Sequence, residues 1–543
     1  MKLPRIVRAK PDGASVTAPA LPIRRPYHSE TPRAHTLWRQ WLVLSALAVC
    51  MIAYGFMFSW LPPSFLLLLL TPIALVALVV IWALPDTERP PIRSMEWAFA
   101  CYFISLILWP YYLAIQIPGL PLLELRRLFA GAMLFFLLVS LSTSRTFRQE
   151  MKEIVVANRT FVTLLVSFVA VQVLSLILAR ERMHGLMTVV KNQLGWTAVF
   201  FVSVYLFSQP GRMKRWALTL VGLALTLSVI GFFEYRNQGV LWAEHIPSFL
   251  RVNDPAMVNL LTAVFREGRY RVVTTFSVSL SLAEFLALVM PFLIHGVLTA
   301  KTPLVRLACI AADIAIFSTI LLTQARVGIV GAIVAHSFYG LVWAVRRWRT
   351  QKGSLIGPAA TLAYPALFVL LGVAVLSVGR LRVMTLGGGT HAASTTGRLE
   401  QAAATGPVLL RSPLFGHGPR QGAGALGYTN PAGEVSIDSY LLAMLLDYGI
   451  VGFLLYYAMF IFMVIQALRV GSRYANPELA YVMPAGVALV VWLASKVVLA
   501  QEDSTSFTYM LLGLVAASVY LARRIQAKQD AVAVAPQVVS RSR

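Results

Sequence analysis

Apolar residues arrive along the chain in runs of roughly 20, the length that crosses the hydrocarbon core of a bilayer as one helix. Short stretches rich in charge, glycine or proline separate these runs, so the pattern alternates span and turn. It predicts fourteen membrane helices, near 40–58, 64–84, 97–115, 122–142, 160–178, 186–207, 215–235, 275–298, 304–323, 327–345, 357–379, 449–468, 479–500 and 506–522. The expected fold is therefore all-α, a polytopic integral membrane protein with residues 39–523 as its membrane domain. Residues 1–38 read as a disordered basic cytoplasmic tail, and residues 524–543 as a second cytoplasmic tail.

Two connections, near 236–274 and 380–437, are much longer than the rest, and a long structureless loop usually carries function or disorder. The second is rich in glycine (Gly387, Gly388, Gly389, Gly416, Gly418) and proline (Pro407, Pro413, Pro419, Pro431), which suits a lid or binding surface better than a folded soluble domain. No internal repeat is visible, nor the inverted pair of broken helices that marks many transporters.

Composition agrees with the pattern. Of 543 residues 58% are hydrophobic and 13% charged, against ~25% charged in an average soluble domain, which excludes one large soluble protein. The net charge of +24 first sets orientation: basic clusters such as Arg346, Arg347, Arg349 and Lys352 mark the cytoplasmic side, and both termini fall there. A nucleic-acid partner is not expected. Cys50, Cys101 and Cys309 lie within apolar runs and form no disulfide or metal pattern.

The basic residues left on the outer side are all arginines. A guanidinium binds phosphate or carboxylate with two parallel hydrogen bonds, which an ammonium cannot do. Compositional bias accounts for the excess about equally well. Several chemistries are absent: there is no HExxH or other metal-ligand spacing, no pair of aspartates flanking one residue, and no GxxxxGK[ST] phosphate loop. The sequence asks for no cofactor and no metal.

Individual outer-face residues stand out. Arg326 sits in the turn Leu322-Thr323-Gln324-Ala325-Arg326-Val327-Gly328, at an outer mouth where the orientation rule disfavours a cation. Its non-functional alternative is a snorkelling anchor. Arg271, with Arg269 beside it, opens Arg271-Val272-Val273-Thr274-Thr275-Phe276 and should end at the same depth. Asp438 precedes a short apolar stretch broken at Gly449, which suits either a proton acceptor or an N-cap. Glu284, expected about 14 Å into the eighth span, forms a possible intramembrane polar site, with Asp313 and Lys191 as its expected partners.

Taken together, these stretches resemble the membrane superfamily of O-antigen ligases and O-antigen or exopolysaccharide polymerases. That family's Arg-x-x-Gly-Thr-Phe segment is similar to Arg271–Phe276 followed by Leu282-Ala283, and its Thr-x-Ser-Arg-Gly turn to Thr323–Gly328. Its long-loop pattern is similar to Thr396-Gly397-Arg398, Ser412-Pro413-Leu414-Phe415-Gly416-His417-Gly418-Pro419, Asp438-Ser439-Tyr440-Leu441 and Asp447-Tyr448-Gly449-Ile450-Val451-Gly452. The family-like core spans about 270–455. Ligases usually carry His where this chain has Asp438, which leans toward a polymerase, and the family glycine is replaced by Thr274.

The resemblance implies a metal-independent glycosyltransferase in a bacterial inner membrane, joining polyprenyl-diphosphate-linked oligosaccharide repeats into O-antigen or exopolysaccharide on the periplasmic side. Arg326 and Arg271 would bind the diphosphate, with Arg269 able to serve in place of Arg271 and Arg398 or Arg420 as auxiliaries, and Asp438 would accept a proton. The expected partners are the lipid-linked glycan, membrane lipid and other polysaccharide-assembly membrane proteins. The alternatives are a ligase moving finished glycan to a lipid A-core or other acceptor, and, more distantly, a flippase or exporter of lipid-linked sugars. A flippase needs a polar path through both leaflets, whereas these candidates cluster on one side.

Overall fold

The computed structural model describes residues 66–116, 122–252, 268–379, 392–429 and 435–541 except 475, together with a few isolated positions. The expected N-terminal tail and most of the first expected span lie outside the described residues. The chain divides into two compact units, 1–87 and 88–543. In the first, the described element is α1 (Leu66–Trp82), an apolar helix containing Pro72.

The second unit is almost wholly helical and opens with α2 (Ile92–Leu108). The expected span near 97–115 ends early, because Pro110 cannot continue a helix and disfavours helical geometry at the residue before it. Beyond Pro110 the chain becomes extended: β1 (Leu113–Ile115) pairs antiparallel with β2 (Leu250–Val252) and ties the connection after α2 to the long 236–274 segment. A hairpin of β3 (Phe265–Arg266) and β4 (Arg269–Tyr270) completes that segment.

Helix α3 (Leu125–Thr143) crosses back to α4 (Arg145–Ala157), whose start is capped by Ser144 accepting a hydrogen bond from the Phe147 amide. Phe147, Met151 and Ile154 are buried on one face of α4, while Arg145, Arg148 and Lys152 lie on the other. The chain then turns through 94° into α5 (Arg159–Ser175), so α4 lies across the direction of the next span. The expected span near 186–207 is α6 (Arg182–Asn192) and α7 (Ala198–Phe207), joined through one π-helical turn at Gln193–Thr197.

The remaining helices are α8 (Arg212–Asn237), α9 (Ser279–Thr299), α10 (Pro303–Leu322), α11 (Arg326–Thr350), α12 (Ile356–Ser377), α13 (Ala392–Leu409), α14 (Gly422–Leu426), α15 (Tyr440–Arg473), α16 (Val482–Lys496) and α17 (Thr505–Arg541). Among the described residues nine helices are long and apolar enough to cross a membrane, ten if α4 and α5 count as one broken span. The number falls short of fourteen partly because α2 is cut short and α6–α7 is interrupted. Helices α9, α16 and α17 are the most enclosed and form the centre of the bundle, with α10 and α12 at its edge. The segment expected as a C-terminal tail continues α17 as helix to Arg541. The loop near 380–437 likewise carries regular structure, the 18-residue α13 and short α14.

Candidate active site

The connections bearing Arg271, Arg326 and Arg420 meet at one end of the bundle, and buried acids organise them. Glu234, near the end of α8, is fully buried and accepts three hydrogen bonds: from the Val273 amide and the Tyr270 hydroxyl on Oε1, and from the Thr274 amide on Oε2, each at 2.8 Å. Burial, and then the Glu234 carboxylate, push the Tyr270 hydroxyl up, so it remains a donor. This arrangement fixes the backbone on either side of Arg271. Thr274 has φ +54°, a region costly for a β-branched residue, which gives a physical reason for glycine at the matching family position.

With its backbone held, Arg271 reaches the turn between α10 and α11. Its Nε donates to the Thr323 carbonyl (3.2 Å), and the Val272 amide donates to the Leu322 carbonyl (3.3 Å). That turn bears Arg326 as the first residue of α11, with the Thr323 hydroxyl accepting the Ala325 amide. The two arginine-bearing segments are therefore joined, and both Arg271 and Arg326 are half-buried. Arg269 is exposed on the β3–β4 hairpin.

The long-loop motifs form a second unit. Ser412–Pro419 lies along the kink of α15, where the Ile450 amide donates to the Pro413 carbonyl (2.8 Å) and the His417 amide to the Leu446 carbonyl (2.8 Å). Gly449 sits at the kink with φ +67° and ψ −171°, and a Cβ there would strike the Leu414 backbone. Asp447, just before the kink, accepts the amides of Gly422 (2.6 Å) and Arg420 (3.0 Å), with Arg420 itself at φ +59°. The Arg420 side chain turns to Glu502 (3.3 Å), whose charge raises the guanidinium pKa still further.

Asp438 lies close to Arg398, with Nε and Oδ2 3.9 Å apart, and its amide donates to Gln401 Oε1 (2.9 Å) on α13. Ser439, not Asp438, is the N-cap residue of α15, which removes the simple capping account of Asp438. The segment 497–504 links the two halves. It carries Glu502 on Arg420 and Asp503, which accepts a hydrogen bond from the Ser277 hydroxyl six residues beyond Arg271.

Below this segment lies the fully buried pair Glu284–Lys496, at 3.0 Å, with Lys496 also donating to the Gln501 carbonyl. The expected partners of Glu284 are thereby corrected. Asp313 pairs instead with His336 (3.0 Å), while Lys191 lies in the electrostatic field of Arg126, Arg127, Glu124 and Arg420. Glu284 also lies nearer the start of its helix than expected, because α9 begins at Ser279 after a turn at Thr274–Thr275. Glu234, Glu502, Asp503 and Lys496 were not singled out in the sequence, and Asp447 entered only as the first residue of a family-like stretch. The available signal was an acid or base at the end of an apolar run, with nothing to name its distant partner.

No curated protein matches the chain at a significant level. Residues 311–457 match a family model described as O-antigen ligase, a stretch running from α10 through the Arg326 turn, Arg398, Asp438 and the Gly449 kink. That match covers the residues that build much of this cluster, and over them the chain is similar to the O-antigen ligase family.

Proposed function

We propose that the protein polymerises polyprenyl-diphosphate-linked oligosaccharide repeats on the periplasmic side of a bacterial inner membrane. The observation that carries this reading is the junction of the Arg271 segment with the Arg326 turn, which draws two arginines from distant parts of the chain to one end of the bundle. A hydroxyl of the acceptor glycan attacks the anomeric carbon of the donor. The C–O bond to the diphosphate breaks, the proton passes to Asp438, and polyprenyl diphosphate departs.

Charge develops on the departing diphosphate, and the transition state gains most from donors already fixed around it. Arg271 and Arg326 supply those donors, while Arg398 beside Asp438 orients the base and Arg420 on the 497–504 contact adds an auxiliary cation. The bond being exchanged is already activated, so neither nucleotide nor divalent ion enters the step.

A ligase reading draws on the description of the matching family, in which finished glycan goes to another acceptor. The carboxylate at position 438, where ligases usually carry histidine, favours the polymerase. Deleting the gene and analysing the lipid-linked glycans that build up tests the choice. Single repeats are expected. Long unattached chains would favour the ligase, and repeats held on the cytoplasmic side would point to a flippase.

A further inference from the structure

Away from the outer cluster, α4 and the distal half of α17 enclose a groove of about 670 Å³ that continues into a smaller cavity of about 160 Å³ at the bend between α4 and α5. Lys152, Arg523 and Arg524 line the first, and Arg159 and Arg523 the second. Glu153 also lies on the wall, but it accepts a hydrogen bond from the Tyr520 hydroxyl (2.9 Å), which in turn receives Arg524 (3.3 Å). Lys152, Arg159 and Arg523 have no such partner among the described residues. The floor of the cavities is apolar, formed by Val156, Ala157, Val519 and Phe462.

We propose that this groove binds the headgroup of an anionic phospholipid, with the phosphodiester held by Lys152 and Arg523 and the first part of the acyl region lying on the apolar floor. Depth supports this occupant. Helix α17 starts beside the outer cluster at Thr505, and Arg524 lies 19 residues further on, about 28 Å along the axis. That is close to one hydrocarbon thickness, so the groove opens at headgroup level on the opposite membrane surface. The 94° turn at Asn158 lays the polar face of α4, with its cations, across the end of α5, as expected at a membrane surface. Three uncompensated cations over an apolar floor match a lipid that is anionic at its head and apolar below it.

The test uses the full-length purified protein and measures bound phosphatidylglycerol against phosphatidylcholine by native mass spectrometry. Phosphatidylglycerol should be retained in preference. Lys152→Gln with Arg523→Gln should weaken it by about fivefold per cation removed. The charge-retaining pair Lys152→Arg with Arg523→Lys should keep it, as should Lys214→Gln with Arg215→Gln at the start of α8, which removes the same charge elsewhere on that surface. Equal loss in the α8 variant would reduce the effect to net charge and overturn the site. Equal retention of phosphatidylcholine would do so too, as would full displacement by inorganic phosphate, which would make the groove a site for a free anion. The readout is lipid binding, so it fails or succeeds independently of the glycan-transfer reading.

Discussion

Arg271 and Arg326 stand more than fifty residues apart in the sequence, yet the Thr323 carbonyl accepts directly from one at the base of the turn that bears the other. If Arg326 binds diphosphate through its fork, Arg326→Lys keeps the charge and loses the geometry. The variant should insert normally and transfer glycan about a hundredfold more slowly, for a loss of about 3 kcal/mol of transition-state stabilisation. A snorkelling anchor would tolerate lysine, and initial rates of chain elongation separate the two. Both arginines could be singled out from the sequence because a cation at an outer helix mouth is out of place. Glu234 could not, because its three partners lie 36 to 40 residues away and nothing in its own surroundings announces them.

Among the elements, the kink in α15 governs how the loop docks. The Ser412–Pro419 stretch and the Asp447–Gly452 stretch look like separate motifs in the sequence, but they form one backbone-to-backbone contact, with Gly449 and Gly416 at positive φ where the two segments approach. Gly449→Ala would meet both a glycine-only conformation and the Leu414 backbone. It should cost at least about 3 kcal/mol, seen as a lower midpoint of thermal unfolding in detergent and loss of transfer activity. An unchanged midpoint would mean that the loop does not rest on the kink. The helical periods of α8 to α11 were legible almost to their ends. Regular structure inside the 380–437 loop was not, because its glycines and prolines mask the alanine-rich helix α13.

For the whole molecule, the excess of lysine and arginine on one set of loops predicts which end of the bundle faces the cytoplasm. The helix directions agree with one another: the connections bearing Arg271, Thr323, Arg420 and Glu502 all meet at the same end. In a background lacking Cys50, Cys101 and Cys309, a single cysteine within 410–429 should react with an impermeant thiol reagent on intact spheroplasts, while one near Arg349 should not. The opposite labelling would invert the molecule and place the cluster on the cytoplasmic side.

The central claim is that arginines and a carboxylate at this end carry out transfer between lipid-diphosphate glycans. Its most direct measurement incubates purified protein in nanodiscs with a polyprenyl-diphosphate-linked repeat, a chelator and no nucleotide, and follows the lipid-linked products by length. The account predicts a ladder of longer chains with release of one polyprenyl diphosphate per bond formed, and its loss in Asp438→Asn. An absolute requirement for a divalent ion or a nucleotide, or an undiminished ladder in that variant, would contradict it.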